Sequence, residues 1–114
     1  MRNYYPSKYH NTKVTVGGER FDSKKEAERW WELQLLERAG EIRDLQRQVR
    51  FELIPTQRTK SGKKVPPTYY IADFTYTTRA GQKTVEDVKG IRTDVYKLKK
   101  KLMLYRHGIE IQEV

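Results

Sequence analysis

Two aspartates and a lysine stand close together in the second half of the chain, within segments rich in strand-forming residues. Asp73 lies in the run Tyr-Ile-Ala-Asp-Phe, and Lys89 follows Asp87 by two positions. A carboxylate within an apolar strand is costly to bury unless it is paired or holds a cation. Side chains alternate along a strand, so Asp87 and Lys89 would share one face. The three residues therefore suggest a metal site; the alternative is an Asp87–Lys89 ion pair on a solvated face, with Asp73 at a strand end.

Composition limits the kind of metal. The 114 residues include no cysteine, and the two histidines, His10 and His107, stand far apart in the sequence. A disulfide framework, a thiolate zinc site and a histidine-rich site are therefore excluded. Ligands must be oxygens, which favour Mg²⁺ or Mn²⁺.

A β-hairpin would bring the two aspartates together. Residues 69–90 divide into two runs rich in Tyr, Ile, Phe, Val and Thr, separated at residues 79–82 by a loop that contains glycine. This pattern predicts two strands joined by a turn. Another carboxylate, Glu26, lies on a predicted helix that begins at Ser23 and stops at Ala39-Gly40. Glu26 could belong to the same acidic site. The alternative is that Ser23 and Glu26 form the Ser-x-x-Glu pattern of a capping box, in which the Glu26 side chain bonds back to the Ser23 amide.

The other elements complete a single α/β domain over residues 1–114. A strand at residues 49–54 ends before Pro55, a second helix follows Thr93, and a last strand follows Gly108. The second helix carries an apolar stripe that is predicted to pack on the sheet. This stripe consists of Val95, Leu98, Leu102 and Tyr105.

The predicted order is therefore helix, three strands, helix and strand within residues 21–114. Residues 1–20 form a basic aromatic arm followed by a short hairpin. The paired tryptophans of the first helix, Trp30 and Trp31, are expected in the core.

Positive charge points to a polyanionic partner. The chain has 24 Lys and Arg against 15 Asp and Glu, a net charge of +9. Such a field attracts polyanions, and nucleic acid is the first candidate. Two groups of lysines are candidate phosphate contacts, with plain solvated lysines as the alternative. They are Lys97, Lys100 and Lys101 on the second helix, and Lys60, Lys63 and Lys64 in a basic turn. No apolar run approaches the about 20 residues of a membrane span, and the N-terminus shows no signal peptide, so a soluble intracellular protein is expected.

Taken in order, these motifs resemble the PD-(D/E)xK nuclease superfamily. Ser23-x-x-Glu26 corresponds to its first helix, Tyr-Ile-Ala-Asp73-Phe to its PD element, and Asp87-Val88-Lys89-Gly90 to its (D/E)xK element. Over about residues 8 to 114, the amino-acid sequence also resembles a family of short, uncharacterised bacteriophage proteins that are similar to phage endonucleases. Ala72 stands where the superfamily name has proline, a residue that shapes the strand and does no chemistry.

The resemblance implies a restriction-endonuclease-like αβββαβ core, a mixed sheet flanked by helices. It implies a Mg²⁺-dependent enzyme, with Mn²⁺ as a possible substitute and no small-molecule cofactor. Asp73 and Asp87 would be metal ligands, together with the backbone carbonyl of Val88. Glu26 would bind the metal or its water, and Lys89 would orient the attacking water or neutralise the scissile phosphate.

The function implied is a DNA endonuclease acting on branched recombination intermediates, as phage Holliday junction resolvases do. Two cuts at a junction would need a homodimer, with the arm of residues 1–20 or the Trp30-Trp31 helix at its interface. A phage-encoded protein would act in the cytoplasm of its bacterial host. The alternatives are a non-catalytic basic DNA-binding protein, and a nuclease that cuts RNA or linear DNA.

Overall fold

A four-stranded mixed sheet with two helices forms the centre of the molecule. The computed structural model describes residues 13–88 and 92–114. Its elements are β1 (Val14–Val16), β2 (Glu19–Phe21), α1 (Lys24–Arg38), β3 (Ile42–Ile54), β4 (Gln57–Arg58), β5 (Lys64–Val65), β6 (Thr68–Thr78), β7 (Lys83–Asp87), α2 (Asp94–His107) and β8 (Gln112–Glu113). The sheet order is β3-β6-β7-β8. The first two pairings are antiparallel, and β8 lies parallel to β7.

The helices cover opposite faces of β7, so two core clusters form. The α2 cluster consists of Leu53, Tyr70, Ala72, Val85, Tyr96, Met103 and Ile111. The α1 cluster consists of Leu33, Ile42 and Phe74, with Trp30, Leu45, Tyr76 and Val88 packed against it. Val85 belongs to the α2 cluster, whereas the next residue, Glu86, is bonded to Arg29 of α1. The predicted mixed α/β architecture and its order of helices and core strands are confirmed.

Strand β3 begins seven residues earlier than the sequence predicts, at Ile42. Asp44 and Gln48 have left-handed backbone angles, with φ of 58° and 54°. Each interrupts the alternation of apolar and polar side chains, which conceals the first half of the strand in the sequence. Opposite Gln48, the faces of β6 also change: Ala72 belongs to the α2 cluster and Phe74 to the α1 cluster. Residues two apart in a regular strand would share one face.

The predicted helix ends are confirmed. The Ser23 hydroxyl accepts a hydrogen bond from the Glu26 amide, and the Thr93 hydroxyl accepts one from the Tyr96 amide. Gly108 ends α2 in a left-handed conformation with φ of 68°, which glycine adopts without steric cost.

The predicted buried face of α2 is wrong except at Leu102, which packs against the α2 cluster. Val95, Leu98 and Tyr105 are 63%, 58% and 87% exposed, whereas Tyr96 and Met103 are buried. Tyr96 can enter the core because its hydroxyl donates to the Glu113 carboxylate at 2.7 Å. The spacing of apolar residues in a sequence cannot reveal such a polar partner.

The structure confirms some of the remaining predictions and contradicts others. Trp30 stacks on Phe74 at 5.8 Å between ring centres, as expected of a core residue, but Trp31 is 57% exposed. The hairpin β1–β2 is confirmed, and the arm before it falls largely outside the described residues. The basic turn is the tip of the small hairpin β4–β5. In the part of the chain that the structure describes, neither helix has the length and apolarity to cross a membrane.

Candidate metal centre

The β6–β7 hairpin brings Asp73 to the end of β7. Phe74 pairs with Glu86, which places Asp73 beside Asp87. The Asp73 carboxylate accepts a hydrogen bond from the Val88 amide at 2.7 Å, directly after Asp87. Asp87 itself is only 4% exposed. The sequence therefore predicted the neighbourhood of the two aspartates correctly from the hairpin alone.

Tyr70 contacts the Asp87 carboxylate from within the α2 cluster. Its hydroxyl donates to Asp87 Oδ2 at 2.5 Å. Burial above all, then the bond to Asp87 and the charges of Asp87 and Asp73, raise the pKa of Tyr70. The phenol therefore remains a protonated donor that occupies one oxygen of Asp87. Sequence inspection missed this residue, because a tyrosine in a strand is typical of any core.

Another carboxylate, Glu113, is half-buried and lies on the β8 side of Asp87. Asp87 pairs with Glu113 across the parallel strands, and its carbonyl accepts a hydrogen bond from the Val114 amide at 3.1 Å. Glu113 accepts from the Tyr96 hydroxyl, from Arg92 at 2.8 Å and from Lys100 at 3.1 Å. These three bonds, with that of Tyr96 largest, lower the pKa of Glu113 to about 2.

The phenol of Tyr96 links this group to the centre. Burial first, then the bond to Glu113 and the negative charge of Asp87, raise the pKa of Tyr96. Asp87 thus accepts a hydrogen bond from the protonated Tyr70, its carbonyl is bonded to the backbone after β8, and its charge acts on the protonated Tyr96. The sequence predicted neither Tyr96 nor Glu113 at the site, since the pairing of β8 with β7 brings them there.

Glu26 is buried at the N-terminus of α1 and contacts strand β3. One oxygen accepts from the Asp22 amide at 2.9 Å, and the other accepts from Gln48 Nε2 at 3.2 Å. Glu26 therefore caps the helix, as the alternative predicted, but the amide that it bonds is that of Asp22 and not that of Ser23. Gln48 lies opposite Asp73, because Arg47 pairs with Phe74 and Val49 with Ala72. Glu26 thus contacts the residue of β3 that lies opposite Asp73 in the sheet.

The two aspartates form a pair and not a larger acidic cluster. Within residues 13–88 and 92–114, no group of three or more His, Cys, Asp or Glu side chains is arranged to hold a metal. Lys89 and Gly90, the end of the (D/E)xK motif, lie outside the described residues. The structure therefore brings Asp73, Asp87 and Val88 together and leaves the position of Lys89 undescribed.

The chemistry of this pair fits a hard divalent cation. Two carboxylates beside one another repel unless a proton or a cation lies between them, and Mg²⁺ is bound through one or two carboxylates plus substrate oxygens. Tyr70 and the Val88 amide each occupy a carboxylate oxygen and orient it. Asp73 and Asp87 are the residues that would hold such an ion.

A basic surface on α2 lies next to this centre. Lys97 and Lys101 are exposed and border a cavity of about 370 Å³ that Arg92, Lys100 and Glu113 also line. Lys100 differs from its neighbours, because its ammonium is bonded to Glu113. On the β4–β5 hairpin, Lys60, Lys63 and Lys64 are all exposed.

Comparisons with known proteins place the chain in a family. Residues 6–112 match the model of a family described as a protein of unknown function, DUF1064. No curated protein matched, and neither did any solved structure. Since the family model covers nearly all of the 114 residues, the chain belongs to the DUF1064 family.

Proposed function

We propose that the protein is a metal-dependent DNA endonuclease of the PD-(D/E)xK type, built on a restriction-endonuclease-like core. The observation that carries this proposal is the Asp73–Asp87 pair at the end of the β6–β7 hairpin. A structural role would not require two carboxylates beside each other, one of them 4% exposed, with donors that fix their oxygens. A divalent cation held by the two carboxylates would account for these features together.

The chain's own residues would divide the work of phosphodiester hydrolysis. Asp73 and Asp87 bind Mg²⁺ or Mn²⁺, which when present neutralises phosphate charge and lowers the pKa of a water. The Val88 carbonyl is a further candidate ligand. Glu26, which accepts a hydrogen bond from Gln48, is assigned to orienting a water. Lys89 follows the second aspartate by two residues and is assigned to the scissile phosphate.

DNA would be bound by lysines outside the metal centre. Lys97 and Lys101 extend from the α2 face beside Asp87, and the β4–β5 hairpin adds a second cationic surface. With a net charge of +9, the protein attracts the DNA backbone whatever its base sequence. Branched recombination intermediates are the proposed substrate, cut by a homodimer.

The test is metal-dependent nicking of a labelled four-way junction, beside linear duplex, single-stranded DNA and RNA of matched sequence. Wild-type protein with Mg²⁺ should nick the junction, whereas Asp73→Asn and Asp87→Asn should lose at least about a hundredfold in rate, as expected when a charge-stabilising group is removed. Both variants should still bind DNA, since binding rests on the lysines. Asp44→Asn is the matched control, because Asp44 is exposed on β3 and should keep full activity.

The outcomes separate the alternatives. Wild-type rates in either Asp→Asn variant would refute the metal centre. DNA binding without cleavage under any metal would favour the non-catalytic DNA-binding protein. Cleavage confined to RNA or to linear duplex would retain the chemistry and replace the substrate.

Glu26 needs its own variant, because it also caps α1. Glu26→Gln retains an oxygen for the Asp22 amide and removes the charge. A role at the metal predicts a loss of about a hundredfold in cleavage, whereas a purely structural role predicts only a fall in melting temperature, because the variant removes the charged oxygen that Gln48 bonds. The matched control is Glu37→Gln on the same helix, whose carboxylate accepts from the Leu45 amide. An active Glu26→Gln variant would restrict Glu26 to its capping role.

A further inference from the structure

The outward face of α1 carries a short apolar patch between two opposite charges. Trp31 and Leu35 are 57% and 44% exposed, although both are large hydrophobic residues. Glu28 lies one turn before Trp31 and Arg38 one turn after Leu35, and both are exposed. Positions 28, 31, 35 and 38 are spaced by three, four and three residues, so they lie along one face of the helix. We call these four residues the α1 seam.

The seam points away from the sheet. The opposite side of α1 is the buried one, where Leu33 is fully buried and Trp30 stacks on Phe74. At about 100° per residue, Trp31 and Leu35 lie roughly 160° to 200° around the helix from Leu33. The core therefore cannot use the seam.

The seam is complementary to itself. Leu33 lies midway in the sequence between Glu28 and Arg38, and also midway between Trp31 and Leu35. When two copies of α1 pack antiparallel about a two-fold axis at Leu33, Trp31 of each copy meets Leu35 of the other. In the same register, Glu28 of each copy meets Arg38 of the other, so two ion pairs form by symmetry.

We infer that the α1 seam docks a second copy of this chain, in an antiparallel helix pair. The positions beside the seam fit this arrangement. Gln34 of one copy faces Gln34 of the other, and the amide side chains can exchange hydrogen bonds. Glu32, which would face its own copy, accepts a hydrogen bond within its own chain from Arg29 at 3.1 Å, and the same guanidinium is bonded to Glu86.

The exposed stripe on α2 does not offer the same complementarity. Val95, Leu98 and Tyr105 also lie at heptad spacing on a helix face turned to solvent. In an antiparallel pair about its centre, Lys99 and Lys101 would each face their own copies, so like charges would flank the apolar stripe. The arrangement of charges therefore favours α1 over α2 as the surface that binds a second copy. This inference does not depend on the proposed nuclease activity.

Charge exchange across the seam tests the inference. Sedimentation velocity of wild-type protein over a range of concentrations should show a monomer–dimer equilibrium. Glu28→Arg and Arg38→Glu should each raise the dissociation constant by roughly tenfold, since each variant places like charges together twice in the dimer. The double variant should return it to within about threefold of the wild-type value, because the ion pairs are re-formed in reverse. Glu110→Arg makes the same charge change on an exposed residue off the helix and should have no effect.

A crosslink supplies a second measurement that does not depend on affinity. The chain has no cysteine, so a single introduced thiol can be read without background. Gln34→Cys should form an intermolecular disulfide on mild oxidation, because residue 34 lies beside its own copy in the proposed register. Lys25→Cys, exposed on the same helix and far from the axis, should remain monomeric.

Three results would overturn the inference. They are a wild-type protein that remains monomeric at every concentration, a dimer that tolerates both single charge changes, and a double variant that fails to recover. Equal crosslinking of Gln34→Cys and Lys25→Cys would overturn the register in the same way. Circular dichroism of each variant confirms that the fold is retained.

Discussion

Left-handed backbone at a residue with a side chain costs about 1 to 3 kcal/mol, and such residues cluster at functional sites. Strand β3 has two of them, Asp44 and Gln48, which differ in what their side chains do. Gln48 donates to the buried carboxylate of Glu26, whereas Asp44 is exposed and lies 3.7 Å from Arg43. The strain at Gln48 thus coincides with a contact to the candidate site, and the strain at Asp44 does not.

Replacing each residue by glycine separates backbone strain from function. Asp44→Gly should raise the melting temperature, because glycine adopts this conformation without a steric cost. Gln48→Gly should gain less, since it also removes a hydrogen bond to a charged group, worth about 1.5 to 3 kcal/mol. Cleavage should fall at least about tenfold in Gln48→Gly, as expected for a lost positioning contact, and stay unchanged in Asp44→Gly. Equal activities in the two variants would limit Gln48 to shaping the strand.

At this scale, the sequence predicted the residues that one hairpin brings together and missed those that tertiary packing brings. Asp73 and Asp87 are joined by a local turn, so pairing rules were enough. Gln48 and Glu113 come from two other strands, β3 and β8, whereas Tyr70 lies on β6 itself, three residues before Asp73. Their residue types are ordinary in strands. Only the register of β3, β6 and β8 shows that they lie near the two aspartates.

Among the elements, α2 shows how one buried polar contact changes a helix. Its lysines looked equivalent in the sequence, but Lys100 is bonded to Glu113 and Lys97 and Lys101 are exposed. A double Lys97→Ala, Lys101→Ala variant should therefore flatten the plot of log K for DNA against log salt by about 1.8, since each phosphate contact contributes roughly 0.9. Lys100→Ala should change the slope less and lower the melting temperature instead. Identical slopes for all of these proteins would place the DNA elsewhere.

The Glu113 group also makes stability depend on pH. Its pKa is lowered from about 4.5 to about 2 by Tyr96, Arg92 and Lys100, so the charged form is favoured in the folded state. This contribution is complete above about pH 4.5 and is lost as the pH falls towards 2. In EDTA, wild-type protein should therefore melt above Glu113→Gln at neutral pH, and the difference should shrink below pH 4.5. Glu110→Gln, exposed nearby, should show no such trend; a difference that persists undiminished in acid would point to packing instead.

Element order was easier to predict than element faces. Caps at Ser23 and Thr93 and a glycine at position 108 mark both helices in the sequence, and the structure confirms them. The buried side of α2 could not be read in the same way, because Tyr96 is buried through a carboxylate from the far end of the chain. Hydrophobic periodicity finds an apolar stripe without showing whether the stripe meets the same chain or another one.

For the whole molecule, the proposed nuclease activity and the proposed dimer together predict one measurable result, which is paired cutting of a junction. A dimer on a four-way junction should cut two strands within one encounter, whereas a monomer should leave a nicked junction. Glu28→Arg should therefore nick at a nearly normal rate in excess enzyme but accumulate singly nicked junction, and adding Arg38→Glu should restore paired cuts. A cruciform plasmid separates the products, since one cut relaxes it and two opposed cuts linearise it. Paired cutting by Glu28→Arg would show that the α1 seam is not needed for it.

The β6–β7 hairpin also has a consequence for the order of folding. Asp73 and Asp87 are separated by a single turn, so closing that turn requires little loop entropy and can precede most other contacts. The parallel pairing of β7 with β8 must wait for α2 to cross between them, a less local and slower step. The two carboxylates therefore come together early, before Tyr96 and the β8 backbone reach Asp87. Divalent cations that screen their mutual repulsion should speed refolding by acting on the hairpin.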